Sequence, residues 1–386
     1  MVDPNQLPLP HASEQVIVRS QGRIHFGLME ISESQPYCYG GIGLMIEHSI
    51  AVVHASLGPS AMQQCHIQAD SHWRPRIEQV VNQWLRSHTH LPVQSITVSQ
   101  SPLPHQGLGS GTQMACTVAA LLSAAERSNQ VGPAFRAGLE SVKGLRPAGE
   151  CDDDGTSNSV VPISTLFLHD NLISHITSIE TSQIDALARL SQRGKRSHIG
   201  LSGFVEGGFI VDYGKAISAG SVTPVGKRTG ALSFPDWPLL IIQDISSQGD
   251  SGQDESAMFD RCSHCPNPNR DSMVQLVRTE MLPAIAARDW KHFDIALGQY
   301  GRWAGQVFET AQGGIYRTRK IAQAIEAANQ LGLRGATQSS WGPTICAVAQ
   351  DDEHAHWCRD RIQVLHPHGT IVVTRAANHP AQVELV

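Results

Sequence analysis

The sequence predicts an α+β fold in two domains, on the basis of three observations. The chain has 386 residues, which is long for a single domain and suits two of ordinary size. Segments with the two-residue apolar period of strands are mixed with segments that have helical apolar spacing. Between Pro224 and Pro238 the composition shifts to glycine, proline and basic residues, which indicates a domain boundary. We therefore predict a loose arm over 1–14, a first domain over 15–230 and a second domain over 231–386.

The same periodicity predicts the individual elements in order. A strand begins at Val16, and the glycine-dense segment over 39–43 is interpreted as a turn. Apolar residues at helical spacing predict a helix over 76–88, and an alanine-rich run predicts a long helix over 111–128. The apolar segment over 204–211 is interpreted as a strand. In the second half we predict strands over 239–242, 345–349 and 370–374, and helices over 274–287, 290–303, 315–331 and 353–365.

Composition and charge narrow the range of functions. Apolar residues make up 41% of the chain and the formal net charge is −6, so the chain has material for a core but lacks the basic surface that nucleic acid or an anionic membrane requires. We expect small-molecule partners, with no nucleic acid and no membrane among them. The 8 cysteines are scattered, and the N-terminus has no basic segment followed by an apolar one. Both observations favour reduced cysteines and a cytoplasmic protein.

The segment from Pro104 to Gln113 is the most informative part of the sequence. It reads Pro-His-Gln-Gly-Leu-Gly-Ser-Gly-Thr-Gln and lies between a predicted strand and the long helix. Closely spaced glycines let backbone N–H groups approach an anion, and a helix start adds unpaired donors and a positive dipole end. The segment has neither the lysine of a Walker loop nor the glycine spacing of a dinucleotide-binding loop, and a capped glycine turn is the structural alternative. Ser110 is also a candidate Mg²⁺ ligand. We predict phosphate or substrate binding by Gly107, Leu108, Gly109, Ser110, Gly111, Thr112 and Gln113.

Four strings give the chain a family resemblance. They are Arg-Ile-His-Phe-Gly-Leu over 23–28, Gly-Leu-Gly-Ser-Gly-Thr-Gln over 107–113, Arg-Ser-His-Ile-Gly over 196–200 followed by a Gly-Gly pair, and Gln-Ser-Ser-Trp-Gly-Pro over 338–343. The second and fourth strings resemble glycine loops of the GHMP superfamily, whose phosphate loop reads Pro-x-x-x-Gly-Leu-Gly-Ser-Ser. Here Gly111 replaces the second serine. Together, the four strings resemble the β-ribofuranosylaminobenzene 5′-phosphate synthase family over nearly the whole chain.

The resemblance implies a fold, a reaction and a set of site residues. The fold is a GHMP-kinase-like two-domain fold, with a ribosomal-protein-S5-like N-terminal domain, a ferredoxin-like C-terminal domain and the active site between them. The reaction joins the phosphoribosyl group of phosphoribosyl diphosphate to the ring carbon of a 4-amino- or 4-hydroxybenzoate. It releases carbon dioxide and diphosphate, as an early step of methanopterin biosynthesis, with Mg²⁺ as cofactor and a homodimer as the implied assembly. The implied catalytic residues are Arg23, His25 and Arg196, and the implied substrate-binding residues are Ser197, Ser339, Ser340 and Gly342.

Two other functions stay open at this stage. Many GHMP kinases have a catalytic aspartate eight residues before the second glycine of a Gly-Gly pair, and counting back from Gly208 gives Gly200. An ATP-dependent small-molecule kinase is the second hypothesis, and this missing base argues against it. A non-catalytic ligand-binding relative is the third, and the intact loop over 107–112 argues against that. Carboxylates over 249–255 could help to hold Mg²⁺, although a solvated loop explains them equally well.

Overall fold

The computed structural model describes most of the chain and shows two sheets covered by helices. The described residues are 15–32, 35, 37–62, 64–131, 159–162, 176–218, 221–224, 229–244, 261–262, 266–340, 342–367 and 369–386. The predicted arm over 1–14 and the carboxylate segment over 249–255 lie outside them.

The first sheet has 10 strands and is formed mainly by the N-terminal half of the chain. Its strands are β1 Gln15–Glu30, β2 Tyr37–Met62, β3 His66–Gln68, β4 Leu91–Gln100, β5 Ser159–Pro162, β6 Phe209–Asp212, β7 Lys215–Ser218, β8 Ser221–Pro224, β9 Thr229–Leu232 and β14 Gln382–Leu385. The main path runs β3-β4-β2-β1-β14-β5, with β6 and β7 paired to β2, β9 to β6 and β8 to β7. The antiparallel register of β1 and β2 shifts between His25 and Leu28, which bends β1 inside one of the family-like strings.

Among the described residues, four helices accompany this sheet: α1 Arg74–Leu85, α2 Ser110–Val131, α3 Ile176–Ser191 and α4 Ile199–Glu206. Helix α2 is central, because it packs on β1 and β2 and is apolar on most of its circumference. Met114, Val118 and Leu121 have no exposed surface. A helix buried on so many sides belongs in a protein core, and this core fixes the position of the first turn of α2.

The second sheet has 4 strands in the order β11-β12-β10-β13. These strands are β10 Leu239–Asp244, β11 Thr337–Gln338, β12 Thr344–Val348 and β13 Gly369–Thr374. Helices separate β10 from β11 and β12 from β13, so the second half follows the βαββαβ pattern of a ferredoxin-like domain. Residues of β10 face alternate sides: Leu239 and Ile241 lie in the core shared with the first sheet, whereas Leu240 and Ile242 pack under the outer helices.

The helices of the second half surround this smaller sheet. Helix α5 Arg270–Leu276 continues through a π-helical turn, Val277–Met281, into α6 Leu282–Ala287, and the others are α7 Trp290–Gln306, α8 Glu309–Gln312, α9 Arg319–Gln330 and α10 Asp352–Leu365. Helix α7 lies in the core between the sheets, with Phe293, Leu297 and Tyr300 buried there. No helix among the described residues is long and apolar enough to cross a membrane.

The predicted strand over 204–211 was wrong. Residues Ile199–Glu206 form helix α4, and strand β6 begins at Phe209. Gly207 and Gly208, with φ of 77° and 71°, end the helix and turn the chain into the strand. The apolar residues on both sides of this glycine pair form one run, so periodicity alone could not divide it.

The predicted turn over 39–43 was also wrong, because this segment is part of β2. Gly40 has φ of 71°, and a Cβ there would lie 2.9 Å from the Asp212 carbonyl oxygen. Glycine therefore allows β2 to approach the end of β6 closely. The same residue type marks turns and close backbone approaches, which is why the sequence pattern was ambiguous.

The C-terminal strand β14 changes the predicted domain division. It pairs antiparallel with β1 from Val16–Leu385 to Arg19–Gln382, and with β5 on its other side. The chain leaves the second sheet after β13 and returns to the first. A boundary between 230 and 231 therefore does not separate the two sheets.

Candidate active site

The glycine loop leads directly into the N-terminus of α2. Gly107 and Gly109 have φ of 80° and 73°, which side chains rarely permit. The Ser110 hydroxyl donates a hydrogen bond to the Leu103 carbonyl at 3.1 Å, and the Gln113 N–H donates to the Gly109 carbonyl at 3.0 Å. Helical hydrogen bonding thus begins at the loop itself, and a helix N-terminus of this kind can bind an anion through the N–H groups of its first turn.

A loop of the second sheet closes against the glycine loop. The Ser339 hydroxyl donates to the Gly107 carbonyl at 2.6 Å, and the Thr344 hydroxyl donates to the Gln106 carbonyl. A Cβ at Gly342 would lie 2.3 Å from the Gly107 Cα, so the two backbones are in direct contact. The shape of the glycine loop therefore depends on both sheets.

Two arginines fill the space beside three glycines. A Cβ at Gly109 would lie 3.0 Å from Arg23 Nε, and a Cβ at Gly200 would lie 3.3 Å from Arg23 Nη1. A Cβ at Gly111 would lie 2.8 Å from Arg193 Nη2. Both guanidinium groups therefore lie beside the glycine loop and the first turn of α2. Their charge adds to the positive end of the helix dipole, which makes this corner suited to a multiply charged anion.

The turn between α3 and α4 is held by two buried charged side chains. Lys215, which is 7% exposed, donates from Nζ to the carbonyls of Gly194 and Lys195 at 2.6 and 2.5 Å. The Asp212 carboxylate, on the neighbouring strand, accepts the backbone N–H of His198 at 2.8 Å. These bonds satisfy the turn's backbone inside the protein and fix the direction of the side chains that it carries.

His25 is buried where the two loops meet. Its Nδ1 accepts the Gly27 N–H at 3.1 Å, its backbone N–H donates to the Ser339 hydroxyl at 3.2 Å, and its carbonyl accepts the Ser340 N–H at 2.8 Å. Burial, and secondarily the charge of Arg23, lower the pKa of His25 to about 3. The imidazole is therefore neutral near pH 7, and His25 joins the loops rather than supplying a proton.

A small, partly open cavity adjoins these loops. It opens beside β1, α7 and the segment before β12, and Ser340 belongs both to its wall and to the loop that contacts His25. Its lining is mostly apolar, and the side chains of Gln312, Thr337, Gln338 and Ser340 supply polar groups.

Comparisons with known proteins relate this arrangement to a family. The family model described as GHMP kinases C terminal matches residues 281–363. The chain is 23% identical to the β-ribofuranosylphenol 5′-phosphate synthase of Methanothermobacter thermautotrophicus, over 95% of this chain and 98% of that protein. It is 24% identical to the synthase of the same name from Archaeoglobus fulgidus, over 95% of this chain and 99% of that protein. The chain is therefore similar to synthases of this name over nearly its whole length, and its C-terminal part is similar to the GHMP kinases.

The GHMP-kinase-like fold implied by the resemblance is confirmed. The solved structure of the Methanococcus jannaschii mevalonate kinase matches with a TM-score of 0.52 at 11% identity, covering 94% of this chain and 98% of the kinase. At that identity the likeness concerns the fold alone. The second sheet has the ferredoxin-like order described above, as predicted.

Several predicted residues of the synthase lie at the glycine loop but face inward. Leu108 is 6% exposed in the core between the sheets, and its carbonyl accepts the Arg23 N–H at 2.9 Å. Gln113 has no exposed surface and donates from Nε2 to the Gly200 carbonyl at 3.2 Å, so it joins α2 to α4. Thr112 is half-buried beside Gly200. These side chains support the loop from inside the protein, which leaves its backbone as the part that could bind a ligand.

The remaining predicted residues lie on two further segments. Arg196 is half-buried in the α3–α4 turn, and the neighbouring Ser197 hydroxyl donates to the Asp212 carboxylate at 3.3 Å. Ser340 has φ of 51° and contributes to the cavity wall. Among the predicted catalytic residues, Arg23 has a side chain that lies directly against the glycine loop.

The Ser110 hydroxyl does not form a metal site by itself. Ser110 is 6% exposed, and its hydroxyl hydrogen is directed at the Leu103 carbonyl. Within the described parts of the chain, no group of three or more His, Cys, Asp or Glu side chains could hold a metal ion. Proteins bind Mg²⁺ through one or two carboxylates together with substrate phosphates. The glycine loop over 104–113 has no carboxylate side chain.

Sequence reasoning missed the roles of Arg193, Lys215 and Asp212. In the sequence, Arg193 looks like part of a solvated basic turn, and Asp212 merely borders a strand. Their contacts depend on how α3, α4 and β6 pack, which periodicity does not report. One signal was available: Gly111 stands where the superfamily loop has a serine, and the structure explains it by the space that Arg193 occupies.

Proposed function

We propose that this protein transfers the 5-phosphoribosyl group of phosphoribosyl diphosphate to a ring carbon of a 4-substituted benzoate. The bond between ribose C1 and the diphosphate oxygen breaks, and its electron pair leaves with the diphosphate. The ring carbon that bears the carboxylate bonds to C1. The carboxylate then leaves as carbon dioxide, and its electron pair restores the aromatic ring.

The observation that carries this proposal is the set of positive groups around the glycine loop. Arg23 lies beside Gly109, Arg193 lies beside Gly111, and the N-terminus of α2 adds N–H donors. Diphosphate gains negative charge as it leaves C1, so donors fixed beforehand at that position lower the barrier. Guanidinium groups suit this task because their planar N–H groups pair with phosphate oxygens two at a time.

The apolar side chains beside Ser340 support the aromatic half of the proposal. Phe26, Leu28 and Phe308 give this side of the Ser339–Ser340 turn an apolar character, and the same turn contacts the glycine loop. The relatives' name, β-ribofuranosylphenol 5′-phosphate synthase, supports 4-hydroxybenzoate as the first acceptor to test.

Position 200 supports the synthase over a kinase. It faces Thr112 and Arg23 from the start of α4, and because it is glycine it supplies no carboxylate base. A kinase must orient and deprotonate a hydroxyl group, whereas the proposed carbon–carbon bond formation needs no base at that position.

Mg²⁺ enters the proposal as part of the substrate. We expect the ion to arrive on the diphosphate, whose oxygens it prefers, and the described protein atoms to bind the resulting complex. We also expect the protein to form a homodimer, as the family resemblance implies, and to act in the cytoplasm.

Two parallel incubations of the purified protein with Mg²⁺ test the proposal. One contains phosphoribosyl diphosphate with 4-hydroxybenzoate or 4-aminobenzoate and is assayed for carbon dioxide and diphosphate. The other contains ATP with a panel of sugars and alcohols and is assayed for ADP. Equal release of carbon dioxide and diphosphate is expected, and the better acid identifies the acceptor. Release of ADP without carbon dioxide would contradict the synthase proposal and would show that the protein is a kinase.

A further inference from the structure

Arg193 occupies space that exists only because residue 111 is glycine. A Cβ at Gly111 would lie 2.8 Å from Arg193 Nη2, closer than real contacts of a Cβ allow. Any side chain at position 111 would have to move the guanidinium group. Gly111 lies in the first turn of α2, so the guanidinium group of Arg193 is placed at the positive end of that helix. An anion bound at this corner would be stabilised by the guanidinium group and by the helix N-terminus together.

The backbone on both sides of Arg193 is tightly specified. The residues before and after it, Gln192 and Gly194, have φ of 54° and 84°. The Arg193 N–H donates to the Ala188 carbonyl at 3.2 Å, at the end of α3. The carbonyl of Gly194 accepts from the buried Lys215 ammonium at 2.6 Å. A left-handed conformation at a non-glycine residue is costly, and it persists because these bonds hold the turn in one shape.

We infer that Arg193, beside Gly111, acts together with Arg23, beside Gly109, to bind the diphosphate that leaves ribose C1. This inference rests on the proposed function and adds a residue to its leaving-group site. Arg23 reaches the loop from β1 beside Gly109, and Arg193 reaches it from the α3–α4 turn beside Gly111. As the C1–oxygen bond breaks, the electron pair moves to the diphosphate, and both guanidinium groups pair with its oxygens.

The test measures anion binding separately from turnover. Titration calorimetry with inorganic diphosphate is performed on the wild-type protein and on Arg193→Gln, Arg193→Lys and Arg189→Gln. Arg189 is the matched control, because it is an exposed arginine in the last turn of α3 and its loss changes the net charge equally. We expect Arg193→Gln to weaken diphosphate binding about 10- to 100-fold, Arg193→Lys to weaken it less, and Arg189→Gln to leave it unchanged.

A fourth variant tests the pairing of Gly111 with Arg193. A serine at position 111 displaces the guanidinium group, so Gly111→Ser alone should weaken diphosphate binding. In the Arg193→Gln background the same substitution should add little, because the displaced group is already gone. Additive losses would show that Gly111 acts independently of Arg193. Thermal unfolding of each variant shows whether it is folded, and Arg193→Lys provides a folded comparison if Arg193→Gln is not.

The outcomes separate this inference from the proposed function. If Arg193→Gln binds diphosphate as tightly as wild type, the inference is overturned, whatever the protein catalyses. If wild type produces no carbon dioxide from phosphoribosyl diphosphate and a benzoate but Arg193→Gln still loses diphosphate affinity, the anion site stands and the proposed acceptor reaction does not. Where both stand, Arg193→Gln should raise KM for phosphoribosyl diphosphate and lower kcat, with KM for the benzoate unchanged.

Discussion

At the scale of single residues, the buried imidazole of His25 links stability to pH. The pKa of His25 falls from 6.5 to about 3 in the folded protein, chiefly because of burial. The unfolded chain therefore binds this proton at a higher pH than the folded chain does. The free energy of unfolding falls as the pH is lowered from 6.5 toward 3, by about 2 kcal/mol at pH 5 from this group.

His25→Asn provides the measurement for this linkage. The asparagine Oδ1 can accept the Gly27 N–H that His25 Nδ1 accepts in the wild type, but the side chain does not titrate. Urea unfolding of both proteins between pH 7 and pH 5 should show a shallower loss of stability for the variant. Parallel curves would contradict the neutral, buried state of His25.

Gly200 allows a second residue-scale prediction, which concerns charge at the loop. A side chain at position 200 begins 2.9 Å from the Thr112 methyl group and 3.3 Å from Arg23 Nη1. The carboxylate of Gly200→Asp would pair with Arg23 and cancel its charge toward the diphosphate. We expect kcat/KM for phosphoribosyl diphosphate to fall about 100-fold. A loss of this size corresponds to roughly one strong charge-assisted hydrogen bond.

Gly200→Ala separates charge from volume in that experiment. Alanine adds the same Cβ without a carboxylate, so it should cost less activity than aspartate. Equal losses in the two variants would show that crowding against Thr112 accounts for the effect. Gain of ADP-forming activity in Gly200→Asp would mean that the missing base alone separates this chain from a kinase.

At the scale of elements, the sequence predicted long periodic segments well. The helix over 76–88 is Arg74–Leu85, the helix over 111–128 is Ser110–Val131, and the strand over 370–374 is Gly369–Thr374. Each has an uninterrupted apolar face, which is the property that periodicity detects. Segments failed where glycine divides an apolar run, as at Gly207, or where a short strand pairs with a distant one, as β14 does.

The residues of the candidate site also differ in how well the sequence predicts them. The glycine loop and Arg23 were predictable because each lies in a string with a family resemblance. Arg193 and Asp212 were not, because their roles come from packing between elements that are far apart in sequence. A pattern within one element cannot report a contact that a turn between α3 and α4 makes with the start of α2.

Asp212 allows a prediction about that turn. Its Oδ2 accepts the His198 N–H at 2.8 Å, and its Oδ1 accepts the Gly214 N–H at 3.0 Å. In Asp212→Asn an amide NH₂ must face one of these donors, so we expect the free energy of unfolding to fall by about 1–3 kcal/mol. Because the turn would move, KM for phosphoribosyl diphosphate should rise as well.

Ser197→Ala is the control for this prediction. It removes the longer 3.3 Å contact to the same carboxylate and the 3.2 Å acceptor of the Ile199 N–H, but it keeps the carboxylate's bonds to His198 and Gly214. Urea unfolding should therefore detect a smaller change. Hydrogen exchange at the His198 amide should accelerate in Asp212→Asn and not in Ser197→Ala. An unchanged exchange rate in Asp212→Asn would show that the carboxylate does not hold the turn.

At the scale of the whole molecule, both ends of the described chain meet in one sheet. Strand β14 lies between β1 and β5, and Val383 has no exposed surface. Strand β1 also carries Arg23 and His25, so a strand at the C-terminus supports residues at the candidate site. The two sheets further share the core that contains α7 and the contact between Gly107 and Gly342. We therefore expect one cooperative unfolding transition rather than two.

A chain that ends at residue 380 tests whether the two sheets unfold together. It lacks β14, so β1 and β5 lose their shared partner and the side chain of Val383 leaves the core; we expect a loss of several kcal/mol in the free energy of unfolding. Glu384→Ala in the full chain is the control, because it removes the ion pair with Arg19 but keeps strand β14 in place, and it should cost less than the loss of the whole strand. Urea unfolding followed by fluorescence and by circular dichroism should shift together in the shortened chain. If only one signal shifts, the sheets unfold independently, and the first sheet is stable without the strand that returns to it from the second.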